Sequence, residues 1–339
     1  MERSNSAMGI ALGMAGILAV VGAPTLAQSS EIRFARQFSM GYLQFNVMER
    51  RQLVEKHAKA EGVADPKVVW ATFNSPAAMN DALISGSIDI VSGGMPALLT
   101  IWAKTQGTPL AVKGVTAFSS QPILLNTRNP KVKAITDFTA EDKIAVPAVK
   151  VSIQAMFLQM AAAKQWGPAE YARLDPLTVG MSPPDATIAL LSGAAGITSA
   201  FSVPPYQSQQ LEKDGIHTVL NSYEVFGSPH SFTVAWASSQ FRDKNPALYR
   251  ALIKAFDEAT GIVNAEIKTA AQYWAEDVKT NLAVDKVVAV ASGAQVKWTM
   301  VPEQVMKFAE FMVSVGTLKT RPAGWKDVFF PEVHHLPGS

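Results

Sequence analysis

Apolar positions along the chain fall into short alternating runs separated by helical stretches. Ile32 to Ala35 reads as a first strand, and Leu43, Val47, Met48, Leu53 and Val54 recur at helical spacing, which predicts one helix over 42–60 ending near Gly62. Val68 to Phe73 is a second β-type run. It meets Ser75-Pro76, in which serine is a natural N-cap and proline a natural first helical residue. The helix that follows ends at Ser85-Gly86, where glycine can take the left-handed C′ conformation, and Ile88 to Val91 is the next strand.

The same pattern returns 107 residues later. Residues 75–92 (SPAAMNDALISGSIDIVS) align without a gap on residues 182–199 (SPPDATIALLSGAAGITS), with eight of eighteen positions identical. The second copy is preceded by Leu177-Thr178-Val179 and closed by Gly193. Each copy is a β-α-β unit, so each half of the chain should carry a mainly parallel sheet flanked by helices. Ile144 to Val146 adds a strand that turns at 147–151 into a helix opened by Ser152, with Ile153, Met156, Phe157 and Met160 on one face. Two extended segments, one from Ser120 through Leu125 and one from Ser228 through Val234, each follow a small polar pivot. They place lobe I in 28–120, lobe II in 121–230, and the completion of lobe I with C-terminal helices in 231–339. The stretch from Pro246 to Val315 is expected to be mostly helical.

The first residues carry a different signal. No charge interrupts residues 4–30, and MGIALGMAGILAVVG precedes Thr25-Leu26-Ala27, a small-x-small cleavage site. The apolar core is shorter than the ~20 residues of a spanning helix, so 1–27 reads as a signal peptide. Without cysteine there is no lipid attachment at the cleavage point, and in a Gram-negative cell the mature chain is expected free in the periplasm.

Composition narrows the function. With 48% hydrophobic residues the chain is not disordered, and 30 Lys+Arg against 28 Asp+Glu gives none of the basic excess of a nucleic-acid binder. Zero cysteine removes thiolate metal sites. No HExxH pair, phosphate-binding glycine loop or GxSxG elbow occurs, and His334 and His335 with Glu332 read as tail rather than a metal site, so neither a metal nor a cofactor is expected.

The residues that remain gather at strand exits and helix starts, where unpaired N–H groups and the positive end of the helix dipole suit an anion. Gln37, Phe38 and Ser39 follow the first strand, with Tyr42 behind them. Asn74 and Ser75, and Ser182 in the second copy, open the repeated helices. Gly93 and Gly94 permit close backbone approach. Ser120 and His230 stand at the two crossings, His230 as a donor or a group that changes charge near neutral pH. Ser152 opens the lobe II helix beside Lys150, the best-placed basic side chain for an acidic ligand. Phe201 and Tyr206, with Phe73 and Phe232, offer an apolar wall.

Taken with Phe73 to Ala78, Leu83 to Asp89, Ser92 to Ala97, Ile144 to Pro147, Ala189 to Gly193, Phe201 to Tyr206 and the ending Gly324 to Phe330, this pattern resembles the periplasmic solute-binding proteins of nitrate-, sulfonate- and taurine-type ABC transporters. The chain departs from many of them at Gly196, where an acidic residue is common, and at 202–206, where Trp-Glu-Pro-Tyr is common. The resemblance implies a type II-like periplasmic-binding-protein fold: two lobes joined by two hinge crossings and closing on a ligand. It implies the substrate-binding component of an importer, a monomer that captures a small organic molecule, an anion such as a sulfonate or carboxylate with an aromatic part allowed. Delivery to a membrane permease with its ATPase follows. A sensory ligand-binding module and an enzyme on the same fold are the alternatives. The thiamine-pyrimidine synthases to which the resemblance extends share a cysteine-rich iron-binding motif that a chain without cysteine cannot carry.

Overall fold

The computed structural model describes residues 29–339; the expected signal peptide lies outside them. In chain order the elements are β1 Glu31–Arg36, α1 Leu43–Arg50, α2 Leu53–Ala60, β2 Lys67–Thr72, α3 Pro76–Ile84, β3 Ile90–Gly93, α4 Met95–Thr105, β4 Val112–Ser120 and β5 Leu124–Thr127. Then come β6 Ile144–Val146, α5 Ile153–Trp166, β7 Thr178–Gly180, α6 Pro183–Ser192, β8 Ser199–Ser202, α7 Tyr206–Leu211, β9 His217–Asn221, α8 Ser222–Phe226 and β10 Ser231–Ser238. The chain finishes with α9 Ser239–Lys244, α10 Pro246–Ala265, α11 Ile267–Val278, α12 Val284–Ala291, β11 Lys297–Trp298, α13 Val305–Ser314 and α14 Trp325–Val328.

Two sheets result, one in order β11-β4-β10-β3-β1-β2 and one in order β7-β6-β8-β5-β9, each covered by helices. The fold is the expected two-lobed α/β architecture. The repeat explains its symmetry: β2-α3-β3 straddles β1 in the first sheet as β7-α6-β8 straddles β6 in the second, all in parallel. Both repeated helices are capped by serine and followed by a glycine at positive φ, Gly86 at 73° and Gly193 at 77°. Among the named strands, parallel pairing is confined to these βαβ cores, with one isolated parallel bridge between Gly114 and Phe329. The strands β4, β10 and β11 in the first sheet, and β5 and β9 in the second, add antiparallel pairs; β4, β5 and β10 flank the two crossings between the sheets. The chain leaves the first sheet after β4, enters the second at β5, and returns through residues 227–230 to β10.

The single helix expected over 42–60 is two. It breaks at Arg51 and Gln52, the latter at φ 49°, so that Leu53, Val54 and Ala58 turn onto α10 while Leu43, Val47 and Met48 stay on the sheet. One core holds Phe34, Phe45, Phe118 and Phe256 in contact between the first sheet and helices α1 and α10. Another runs from α4 through α5 to α13 and joins the two lobes. The helical stretch 246–315 is as expected, except that Lys297 and Trp298 form an edge strand against Ser120 and Ser119. Among the described residues no helix is long and apolar enough to cross a membrane.

Candidate functional site

Four helices point their N-termini at one cavity between the sheets. Ser75 opens α3 by accepting from the Ala78 N–H at 3.4 Å, Ser152 opens α5 by accepting from Ala155 at 3.3 Å, and Ser182 opens α6 by accepting from Asp185 at 3.4 Å. Gly94 precedes α4 with no side chain to offer. Pro76, Gly94, Ser152, Ile153 and Pro183 therefore line the cavity, which has a volume of about 30 Å³. Because the sequence places Ser-Pro or Gly-x-Pro at three of these starts, the local code for a helix start is also the code for the cavity wall.

A turn after β1 supplies the fifth side. Ser39, in extended backbone, accepts from the Gly41 N–H at 2.9 Å and donates to the Pro204 carbonyl at 3.2 Å, while the Met40 N–H donates to the same carbonyl at 2.9 Å. These bonds tie the turn to the start of α7 across the cleft. A second contact between the lobes is steric: a Cβ on Gly94 would stand 2.7 Å from Cβ of Ile153.

No residue lining the cavity carries a formal charge. Gln37 and Gln154 make no side-chain hydrogen bond with any described residue and are free to meet a ligand, whereas Thr233 is used, donating to the Gly41 carbonyl at 2.8 Å. Burial drives the Tyr42 phenol well above its usual pKa, opposed by contact with Ser92, so it stays a neutral hydroxyl. Phe38, Val203 and Phe232 complete an apolar wall.

On the other side of the 37–42 turn lies a larger chamber of about 290 Å³. Gln37, Phe38, Ser39 and Tyr42 line both spaces. Arg36, Asn46, Thr72, Trp274 and Asp277 come from the first lobe, and Pro184 and Tyr206 from the second. Its charges are partly engaged: Arg36 Nη2 lies 2.8 Å from Glu49 while its Nη1 is buried without a hydrogen-bond partner, and Asp277 accepts from Arg50 at 2.7 Å and from Asn46 at 2.6 Å. Burial pushes the Tyr206 phenol up to about 12.

Of the residues singled out in the sequence, Gln37, Phe38, Ser39, Tyr42, Gly94 and Ser152 line the cavity, Ser75 and Ser182 cap helices that line it, and Tyr206 lines the chamber. The others lie elsewhere. Asn74 is exposed, and Gly93 sits in β3 under the Trp236 ring, 3.0 Å from where its Cβ would be. Phe201 is buried in the core.

Lys150 is exposed in a turn at φ 65°, and its charge acts on Asp175, a carboxyl raised by burial and lowered by Gln159 and then Lys150. Ser120 and His230 stand at the two crossings between the sheets. Ser120 bonds the Tyr223 hydroxyl and the His230 carbonyl, each at 2.8 Å. The His230 ring is fully buried among Phe157, Tyr223, Phe226 and Phe308, with Nδ1 3.1 Å from the Ser231 carbonyl and Nε2 3.0 Å from the Ser222 hydroxyl. Burial holds it down at about 4, so it is neutral and does not switch charge near pH 7. Sequence reasoning missed Gln154, which its place two residues after the Ser152 cap marks, and Arg36, Asn46, Trp274 and Asp277, which nothing local marks.

A cleft between two α/β lobes, walled by helix N-termini at the ends of parallel strands, defines a solute-binding protein of the periplasmic type. The chain belongs to the NMT1-like family, whose model matches residues 34–279, and so to the nitrate- and sulfonate-type solute-binding proteins that the sequence resembles. It is 25% identical over 259 residues to a putative aliphatic sulfonates-binding protein of Escherichia coli, covering 76% of this chain and 75% of that one. Its fold is similar to that of the alkanesulfonate-binding protein of Xanthomonas axonopodis pv. citri bound to MOPS, with TM-score 0.64, 16% identity and coverage of 87% of this chain and 96% of that one. The periplasmic nitrate-binding protein of Synechocystis PCC 6803 is also similar in fold, with TM-score 0.60, 15% identity and coverage of 80% and 74%.

Proposed function

We propose that this chain is the exported substrate-binding component of an ABC importer. In this reading residues 1–27 direct export and are removed, and the mature chain works as a periplasmic monomer. Residues 28–120 with 231–339 form one lobe and 121–230 the other. A small organic anion, a sulfonate or carboxylate, enters between them, the lobes close on it, and the closed form presents it to a membrane permease and its ATPase.

The observation that carries the reading is the convergence of four helix N-termini on a cavity without a charged side chain. Each such end is worth about 1 kcal/mol to a partly buried anion, so four contribute several kcal/mol. A cation there would face the positive ends of all four dipoles; the one carboxylate in their first turns, Asp185 of α6, is exposed, accepts from the Ser182 hydroxyl at 2.5 Å and does not line the cavity. Contacts from both lobes to one ligand are what favours the closed state over the open one.

Calorimetric titration of the mature protein with nitrate, alkanesulfonates, carboxylates and matched alkylamines tests this. The expected result is heat and thermal stabilisation with at least one class of anion and none with the amines. Binding of amines in preference to every anion, or of nothing in the panel, overturns the reading.

A further inference from the structure

Asn80 lies outside the cavity lining, yet it joins the two lobe I helices that open on the cavity; its role deepens the reading above and rests on it. Its amide oxygen accepts from the Trp236 indole N–H at 2.9 Å, and its amide nitrogen donates to the Ala97 carbonyl, in the first turn of α4, at 3.2 Å. Trp236 is fully buried in β10, its ring 3.0 Å from where a Cβ on Gly93 would stand, and Gly93 directly precedes the Gly94 that opens α4. One half-buried side chain therefore ties α3 to α4 and both to the sheet. The remaining constraints on α3 are weak. Its cap bond from Ala78 to Ser75 is 3.4 Å long, and of its nine residues it buries Pro76, Met79 and Leu83. Apolar contact is non-directional and lets a helix roll or slide, whereas a hydrogen bond fixes a distance.

The same position is used in the second copy of the repeat, where the counterpart of Asn80 is Thr187 in α6. Its hydroxyl donates to the Pro183 carbonyl at 2.9 Å and accepts from the Gln210 amide at 2.9 Å, and Gln210 in turn accepts from Asn126 of β5 at 3.0 Å. All three side chains are buried. So α6 is anchored to β5 as α3 is to β10, and these are the strands by which the chain enters each lobe from its crossing. We infer that Asn80 is a positioning residue for the anion: it touches no ligand and, through Trp236 and Ala97, sets the aim of the α3 and α4 N-termini. The field of a helix end falls off within one turn, so an end that drifts off the anion loses its share of the attraction.

The test is calorimetry on the mature protein with nitrate, methanesulfonate and acetate, then amide NMR with whichever of them the wild type binds most tightly. Asn80→Leu keeps the volume and removes both bonds, and should weaken that anion about fivefold, the share of one helix end. Trp236→Phe keeps a ring over Gly93, leaves α3 unaltered and removes the donor alone; it should cost about threefold, and the double variant no more than about twofold beyond Asn80→Leu, because both act through one chain of bonds. The anion-induced shifts of the Ala77 and Ala78 amides in α3 should shrink by half or more in Asn80→Leu while those of Gln154 and Ala155 in α5 persist, a selectivity that a general loss of stability does not produce. Affinities within about twofold of wild type in both single variants, losses that add in the double variant, or shifts that shrink equally in α3 and α5 overturn the inference and leave the anion reading standing. Binding of none of the three anions by the wild type overturns both.

Discussion

Gly94 lines the cavity but brings no side chain to it, so it is the point at which the proposed closure can be tested without removing a group that could bond a ligand. In Gly94→Ala the new Cβ stands 2.7 Å from Cβ of Ile153, 3.0 Å from its Cγ2 and 3.6 Å from its Cδ1. Carbon atoms prefer about 3.5–4.0 Å, so the lobes must part by about 1 Å here. Ile153 cannot yield by changing rotamer, because its Cβ is fixed by the backbone at the first residue of α5. Overpacking of this kind costs about 1–3 kcal/mol. The same parting strains the bonds from Met40 and Ser39 to the Pro204 carbonyl, 2.9 and 3.2 Å long, worth about 1 kcal/mol more.

In the proposed closure all of this falls on the closed form, since opening parts Gly94 from Ile153. A penalty of about 2–4 kcal/mol confined to one state appears as affinity, roughly 30- to 1,000-fold, and not as stability of the empty protein. Titration with the tightest anion of the panel measures the first, and thermal melting of the unliganded variant the second. The shortest contact is between two β-carbons, which makes a sharper demand. On the Gly94→Ala background, Ile153→Ala should leave most of the defect in place and Ile153→Gly should recover at least tenfold. Affinity within threefold of wild type, or melting that falls in parallel with affinity, would refute the closure argument.

Two further outcomes are expected. His230 is held at about 4 by burial against 6.5 in the unfolded chain, so below pH 6.5 the unfolded state takes up a proton that the folded ring refuses. Its contribution is complete above pH 6.5 and is lost as pH falls towards 4, a change of about 3 kcal/mol; urea midpoints should fall more steeply over that window in wild type than in His230→Gln, and identical slopes would sink the assignment. Gln154, buried at the cavity and unbonded to any described side chain, is free for the ligand: Gln154→Ala should weaken the anion about fivefold to tenfold while melting stays within a degree or two, and a variant that melts early with unchanged affinity would mark it as structural.

What could be read from the sequence divides along a physical line. Helix starts are local events, a Ser-Pro pair followed by an apolar period, so α3 and α6 and their capping serines were legible from a few residues each. The repeat then placed both in equivalent positions of two sheets. The break at Gln52 was not legible, because it comes from the need of α2 to dock on α10, some two hundred positions later in the chain. Half the site shares that difficulty: Trp274 reaches the Ser39 carbonyl from 235 positions away, and no local pattern records it.

Lys150 shows the opposite case, a charge on the right loop that is exposed and does not line the cavity. A turn at φ 65° puts that side chain outside, beside Asp175, and the cavity it was to serve has no charged lining at all. The near balance of 30 basic and 28 acidic residues acquires a reason from this. When the attraction for an anion resides in backbone dipoles, it is carried by helix placement, which βαβ packing fixes, and not by side chains that a single substitution removes. A lysine in the cavity would add Coulomb energy at the cost of desolvating an ammonium and of holding the anion too tightly in the open form as well as the closed one. In the proposed closure, four helix ends split between two lobes avoid both: two act before the lobes meet and four after, and that difference in attraction is what favours the closed form.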